Sequence, residues 1–365
     1  MPTLAQPLAD AADRLILDEG TDVLASARGA VVVVGDTSGA LTAAVLDESP
    51  DARVRLHVDS AADELVVRRL FDGDERVEIM ALDERLAAGA EVILLRLPKS
   101  LAELERLAAV VANAAAPDAV VIAGGRLKYM TVAQNEVLGR WFDRVDVSLA
   151  RQKSRVLIAR GPRRGSAPEL TIADHADIDL RVASVGGAFA GSSIDIGTRA
   201  LLAVFDRLPP YTTAIDLGCG TGILAALLAR RAPNARVIAT DASAAAVESA
   251  RATMLANGLD RVEVIRDAGL RSQPEASADL IVLNPPFHDG GAVTTDIAME
   301  LFREAGRVLR PGGVLVAVWN SHLAYKSALT RLVGATEEIS RNAKFTVTAS
   351  TSPSIRLGSA DARVR

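Results

Sequence analysis

Ala214-Ile215-Asp216-Leu217-Gly218-Cys219-Gly220-Thr221-Gly222 runs from four strand-type residues into three alternating glycines, and residues 223–231 then read as a helix. Glycine takes positive φ without a Cβ clash and lets the backbone pass close to a ligand. The stretch therefore reads as the first turn of a βαβ unit and as a ligand cradle. A dinucleotide fingerprint needs its third glycine three places after the second, and that place holds Ile223. A nicotinamide cofactor is disfavoured; the alternating glycines suit a smaller ligand without a pyrophosphate.

Toward the C-terminus, a strand over 236–240 ends at Asp241, where a carboxylate can accept both hydroxyls of a ribose. A strand over 262–265 leads to Asp267-Ala268, suited to an adenine amine and its ring face. Either carboxylate alone is as readily a helix N-cap. Both at strand ends, in order after the glycines, follow the rule that such sheets bind ligands outside their carboxyl ends.

The apolar run Asp279-Leu280-Ile281-Val282 continues into Leu283-Asn284-Pro285-Pro286-Phe287-His288. Neither proline can donate a ladder hydrogen bond, so the strand stops there and a rigid lip follows. The lip suits the exocyclic amine of a nucleobase, a poor nucleophile because its lone pair is delocalised into the ring. The Asn284 side-chain oxygen and the Pro285 carbonyl can hold the amine hydrogens and turn the nitrogen toward an electrophile. Phe287 can stack on the base, worth roughly 1–3 kcal/mol. His288 can touch base or phosphate, or lie in an exposed turn. Cys219 reads as a small residue that fits the glycine loop.

At 365 residues the expectation is two domains, each able to bury its own core. Residues 1–18 lack a basic patch followed by an apolar core, so no signal peptide is evident, and runs such as Ala30-Val31-Val32-Val33-Val34 are too short to span a bilayer. One cysteine excludes an internal disulfide and a multi-cysteine zinc site, and no metal is expected. The chain reads as cytoplasmic. A net charge of −5 argues against a broadly basic coat but leaves room for a local basic strip.

The first half repeats the order of the second. A helix over 10–19 ends before Gly20. Strands at 30–34, 54–58, 91–95 and 119–123 alternate with helical segments, and Gly35-Asp36-Thr37-Ser38-Gly39 stands where the glycine loop would be. Asp59 follows Gly35 by 24 residues, and Asp241 follows Gly218 by 23. The chain is thus expected to be a duplication of doubly wound α/β domains. Between the halves Arg151, Lys153, Arg155, Arg160, Arg163 and Arg164 cluster, with no acid over 149–168. This is either a solvated strand and loop or a phosphate-contacting strip beside the domain junction.

Asp216 to Gly222 together with Asn284-Pro285-Pro286-Phe287 resembles the class I S-adenosylmethionine-dependent methyltransferases that act on an amine nitrogen. With His288-Asp289-Gly290, Ile194-Asp195-Ile196-Gly197-Thr198-Arg199 and Asn342-Ala343-Lys344-Phe345, the chain is similar to the bacterial ribosomal RNA guanine-N2-methyltransferases. Leu97-Pro98-Lys99-Ser100-Leu101 and Ala150-Arg151-Gln152-Lys153-Ser154-Arg155 look closest to the large-subunit (23S) member. The resemblance implies two tandem doubly wound Rossmann-like methyltransferase domains: residues 1–178 degenerate and RNA-binding, residues 179–365 catalytic.

It further implies S-adenosyl-L-methionine as cofactor. Asp195, Gly197, Thr198, Asp216, Gly218, Cys219, Gly220, Gly222, Asp241, Ala242, Asp267, Ala268 and Asn284 would hold it. Asn284, Pro285 and Phe287 would do the chemistry, and Arg151, Lys153, Arg155, Arg163, Arg164 and His288 would contact RNA. The expected substrate is guanine in rRNA, free or in an assembling subunit, and the expected state is a monomer. Adenine-N6 methylation, a 16S guanine target, a glutamine side chain and a non-catalytic assembly factor are the competing readings. The first half lacks both amide and ring at its fourth strand tip, Arg96-Leu97-Pro98-Lys99, and is expected to bind no cofactor.

Overall fold

A computed structural model describes residues 8–285 and 292–354. They fall into two compact units. One takes the chain up to Thr171 with Val185–Gly191 and Ser243–Ala245; the other takes Ile172–Ser184, Ser192–Ala242 and the chain from Ala246 on.

In the first unit, aliphatic runs make the central strands β1 (Val31–Val34), β2 (Val54–His57), β3 (Val77–Ile79), β4 (Val92–Arg96) and β5 (Val120–Arg126), joined by β6 (Phe142–Val147) and β7 (Ser154–Pro162). Their order is 3-2-1-4-5-7-6, with β7 antiparallel to both neighbours. β8 (Thr171–His175) and β9 (Leu180–Ser184) pair as a small separate sheet.

The second unit repeats the seven-stranded pattern in β10 (Thr213–Leu217), β11 (Arg236–Asp241), β12 (Glu263–Arg266), β13 (Ala278–Leu283), β14 (Leu309–Asn320), β15 (Ala335–Arg341) and β16 (Phe345–Thr351). Their order, 12-11-10-13-14-16-15, is that of the first sheet strand for strand. Two Rossmann-like α/β domains in tandem are thus present, as expected.

The central strands of both sheets are buried on both faces, which is why β1, β4, β10 and β13 are nearly continuous apolar runs, whereas the edge strands β3 and β12 carry charged residues. In β1, Val32 and Val34 join one core and Val31 and Val33 the other. In the second unit Ala214 packs on one side of β10 and Ile215 and Leu217 on the opposite side. Among the described residues no helix is long and apolar enough to cross a membrane.

Two expectations need correcting. The first helix does not stop before Gly20 but runs Ala11–Ser26. A Cβ at Gly20 would lie 3.0 Å from Ile122 Cδ1, so the glycine serves close helix–sheet packing rather than termination. The matching of Asp59 to Asp241 is off by one. Val34 pairs with His57 and Leu217 with Thr240, which makes Val58 the counterpart of Asp241. In a strand that single step turns a side chain to the other face.

Candidate functional site

The glycine loop joins β10 to the helix Ile223–Arg231, and Gly218, Gly220 and Gly222 all have positive φ (71°, 53° and 82°). Gly222 is glycine for two reasons: it caps the helix in the left-handed conformation, and a Cβ there would lie 2.8 Å from Met254 Cε. Gly218 and Gly220 differ, because a Cβ on either would meet nothing within 4 Å among the described residues. Their bare backbone faces open space, as a ligand cradle requires.

Carboxylates brace this loop from beneath and beside it. Asp216 is 1% exposed, and its Oδ2 accepts the Ala225 N–H at 2.9 Å. Burial, relieved partly by that hydrogen bond and reinforced by nearby Asp241, pushes its pKa up to about 7. Asp241, at the end of β11, accepts the Gly220 N–H at 2.9 Å and so ties the loop to the next strand. Asp267 uses Oδ2 for the Ser272 N–H and hydroxyl, at 2.8 and 2.7 Å, and its own N–H bonds the Asp241 carbonyl. Ala242 and Ala268 follow the two carboxylates and are half-buried. Cys219 is buried, and burial with the two neighbouring carboxylates raises its thiol pKa well above normal, so it is a poor nucleophile.

The elevated Asp216 pKa carries a stability consequence. An acid whose folded pKa exceeds its unfolded 3.8 binds more protons when folded, so stability falls as pH rises from about 4 to 7 and the full penalty stands above 7. The upper bound is on the order of 4 kcal/mol. Asp216→Asn keeps the acceptor for Ala225 and is expected to raise the melting temperature of cofactor-free protein at pH 8 much more than at pH 5. An equal change at both values would show that the carboxylate is not ionising in place.

At the tip of β13, Asn284 Nδ2 donates to Asp195 Oδ2 and to Thr198 Oγ1, each at 3.1 Å. Asp195 also caps the helix Ile196–Leu202 through the Gly197 and Thr198 N–H groups. A carboxylate can only accept, so it fixes the amide with its nitrogen inward. Asn284 Oδ1 is left buried with no hydrogen-bond partner among the described residues, and a buried unpaired acceptor is costly unless a donor arrives. Close approach is possible because residue 197 is glycine: a Cβ there would lie 2.7 Å from Asn284 Oδ1.

Asp195 and Thr198, expected from sequence as cofactor residues, thus meet Asn284 directly. The sequence does not signal this, since the partners lie 89 and 86 residues apart. Pro285 is buried; Pro286, Phe287 and His288 lie outside the described residues.

The same positions of the first unit hold different groups. Strand register sets Val33 opposite the role of Asp216, Val58 that of Asp241, and Arg96 that of Asn284. Arg96 Nη1 contacts Asp10 Oδ1 at 2.7 Å and Asp13 Oδ1 at 2.6 Å. Where Gly218 faces open space, a Cβ on Gly35 would lie 3.1 Å from Arg96 Cβ.

Three of the six residues of the basic strip are paired with acids. Arg151 meets Asp18 and Glu19, Arg160 meets Asp146, and Arg163 meets Asp143 and the Gly139 carbonyl. Arg155 is half-buried, its Nε without a partner among the described residues, while Lys153 and Arg164 are exposed.

Residues 179–349 match the family "Methyltransferase small domain", and residues 6–163 match "RLMG N-terminal domain". The chain is 34% identical over 352 residues to the ribosomal RNA large subunit methyltransferase G of Shewanella amazonensis, covering 93% of this chain and 90% of the relative. It is 32% identical to the protein so named from Streptomyces avermitilis, covering 87% and 86%. The fold matches the structure of a T. thermophilus 16S rRNA N2 methyltransferase in complex with AdoMet and guanosine, with TM-score 0.75, 23% identity and 92% of each chain covered.

Proposed function

Because this chain belongs to the ribosomal RNA large subunit methyltransferase G family, we propose that it transfers a methyl group from S-adenosylmethionine to the exocyclic N2 amine of a guanine in 23S rRNA. The observation carrying this reading is Asn284 Oδ1, buried and without a partner among the described residues, on an amide whose nitrogen is pinned by Asp195 and Thr198. An acceptor fixed in this way suits an amine hydrogen. With the Pro285 carbonyl as second acceptor it turns the nitrogen lone pair toward the cofactor, and Phe287 supplies the stacking face.

The second unit fits the cofactor: the bare Gly218 and Gly220 backbone offers the cradle, with Asp241 for ribose hydroxyls, Asp267 and Ala268 for adenine, and Ala242 beside them. When bound, S-adenosylmethionine supplies an electrophilic methyl group on a sulfonium. Asp216 acts on it through the loop that it braces, and Cys219 fills that loop. The contribution of the protein is mainly positioning of two reactants rather than acid–base work.

In this reading residues 179–365 are the catalytic half. Residues 1–178 help to hold RNA, with Lys153 and Arg164 as the strip cations best placed for phosphate. The setting is cytoplasmic, on free rRNA or an assembling large subunit.

The test is to incubate the protein with labelled S-adenosylmethionine and rRNA from cells lacking the gene, and to identify the labelled nucleoside. N2-methylguanosine in large-subunit RNA is expected; N6-methyladenosine would overturn the choice of base. Calorimetry is expected to give one cofactor per chain, because Val33, Val58 and Arg96 stand where the second unit has Asp216, Asp241 and Asn284. Two sites per chain would refute the loss of binding in the first unit.

A further inference from the structure

We propose that the first unit carries a one-nucleotide pocket, at the carboxyl ends of β4 and β5, that takes an unpaired nucleotide of the RNA substrate. The proposal rests on the RNA reading above. A cavity of about 270 Å³ lies there, walled by Asp10 and its ion-pair partner Arg96 and by Leu97, Arg126, Lys128 and Tyr129. It is slightly smaller than pockets for drug-sized ligands, roughly 300–1,000 Å³, and suits one base with part of its sugar. Strand register sets Arg96 where Asn284 stands in the second unit, so the cavity occupies the substrate end of a sheet that has lost its amine acceptors.

The chemistry of the wall favours RNA. Tyr129 is 43% exposed, and the Lys99 and Lys128 ammonium groups lie over its ring, 4.7 and 4.4 Å from the centroid. A base that takes their place can stack on the ring, since any base offers the needed π-face, and the displaced cations then meet the adjoining phosphates. Arg126 and Lys128 are exposed on the rim, and neither forms an ion pair among the described residues. In this they differ from Arg151, Arg160 and Arg163, whose charges are offset by neighbouring acids. The exposed side chains of Leu127 and Val132 extend the surface beyond the pocket, as suits splayed bases rather than a paired helix. The sequence signal is the interleaving of Arg126-Leu127-Lys128-Tyr129 immediately after a strand.

The full-length protein would be titrated into a short, fluorescein-labelled, single-stranded oligoribonucleotide of mixed sequence and followed by anisotropy. Tyr129→Ala is expected to weaken binding by about 5- to 100-fold, and Tyr129→Phe to bind like the unsubstituted protein. Arg126→Glu with Lys128→Glu is expected to weaken it as much and to flatten its salt dependence. A 4-thiouridine crosslink on the unsubstituted protein is expected on the peptide holding Tyr129, a result that does not depend on any variant folding. Unchanged binding by the folded variants, or crosslinks only elsewhere, overturns the pocket. Methyl transfer to 23S rRNA is measured in parallel. Transfer with unaffected variants removes the pocket and keeps the activity, whereas pocket binding without transfer to any RNA removes the activity and keeps the pocket.

Discussion

Replacing Asn284 by alanine is expected to lower methyl transfer by about 100- to 1,000-fold, the range for loss of one preorganised hydrogen-bonding group at a reacting centre. Cofactor affinity is expected to change little, because the cradle is built from the Gly218–Gly220 backbone and the carboxylates at neighbouring strand ends. Among the described residues the side chain is held on one side only: Nδ2 is engaged by Asp195 and Thr198, and Oδ1 has no hydrogen-bond partner. Alanine removes the acceptor and leaves Asp195 with its helix-cap bonds. Asn284→Asp retains oxygens but sets a second carboxylate against Asp195, so it should also fail, with a pH dependence that alanine lacks. Single-turnover rates and cofactor titrations separate the effects. Equal loss in rate and in cofactor affinity would assign Asn284 to cofactor binding instead.

A second large effect is expected from adding one methyl group. In Gly197→Ala the new Cβ would stand 2.7 Å from Asn284 Oδ1 and 2.9 Å from Asp195 Oδ2. Contacts that short force a shift, and the side-chain ends will move before the backbone. The acceptor is then displaced, and misplacement by about 1 Å can lower a rate by around 100-fold. The shift also disturbs the Asp195 helix cap, worth roughly 0.5–2 kcal/mol, so only a modest loss of stability is expected. A variant that melts slightly below the original temperature but turns over far more slowly is the predicted outcome. Undiminished turnover would mean that the Asn284 position is not critical.

These two residues show how far the sequence is readable. The buried parallel strands are plain because both faces are apolar and each run ends in a glycine loop, a carboxylate or a proline. Strands β6, β7, β15 and β16 are harder, because polar and charged side chains break the pattern: β15 is Ala335–Arg341, with two glutamates in seven residues. β3 is only three residues long. Gly20 misleads because a glycine that ends a helix and one that lets a helix approach a sheet look alike in sequence. The Asn284 lip is legible as local chemistry, but its hold by Asp195 and Thr198 is not, because spacing along the chain does not reveal which distant side chains meet. The same holds for the arginine strip, whose acids Asp18, Glu19, Asp143 and Asp146 lie outside the window in which the strip looks acid-free.

Both glycine loops anchor the helix that follows through a buried carboxylate, though from different places. In the second unit strand residue Asp216 accepts the Ala225 N–H; in the first, loop residue Asp36 accepts the Thr42 N–H at 2.8 Å. Gly35 and Gly39 keep the positive φ of Gly218 and Gly222, whereas Thr37 stands at the Gly220 position without it. The chain thus carries its own control experiment. Features common to both loops are what such a turn needs in order to fold, and features confined to the second are what a ligand adds. An engineer seeking to restore a cofactor site in the first unit should therefore leave Asp36 and Gly39 alone. The changes belong at Thr37, Val58 and Arg96.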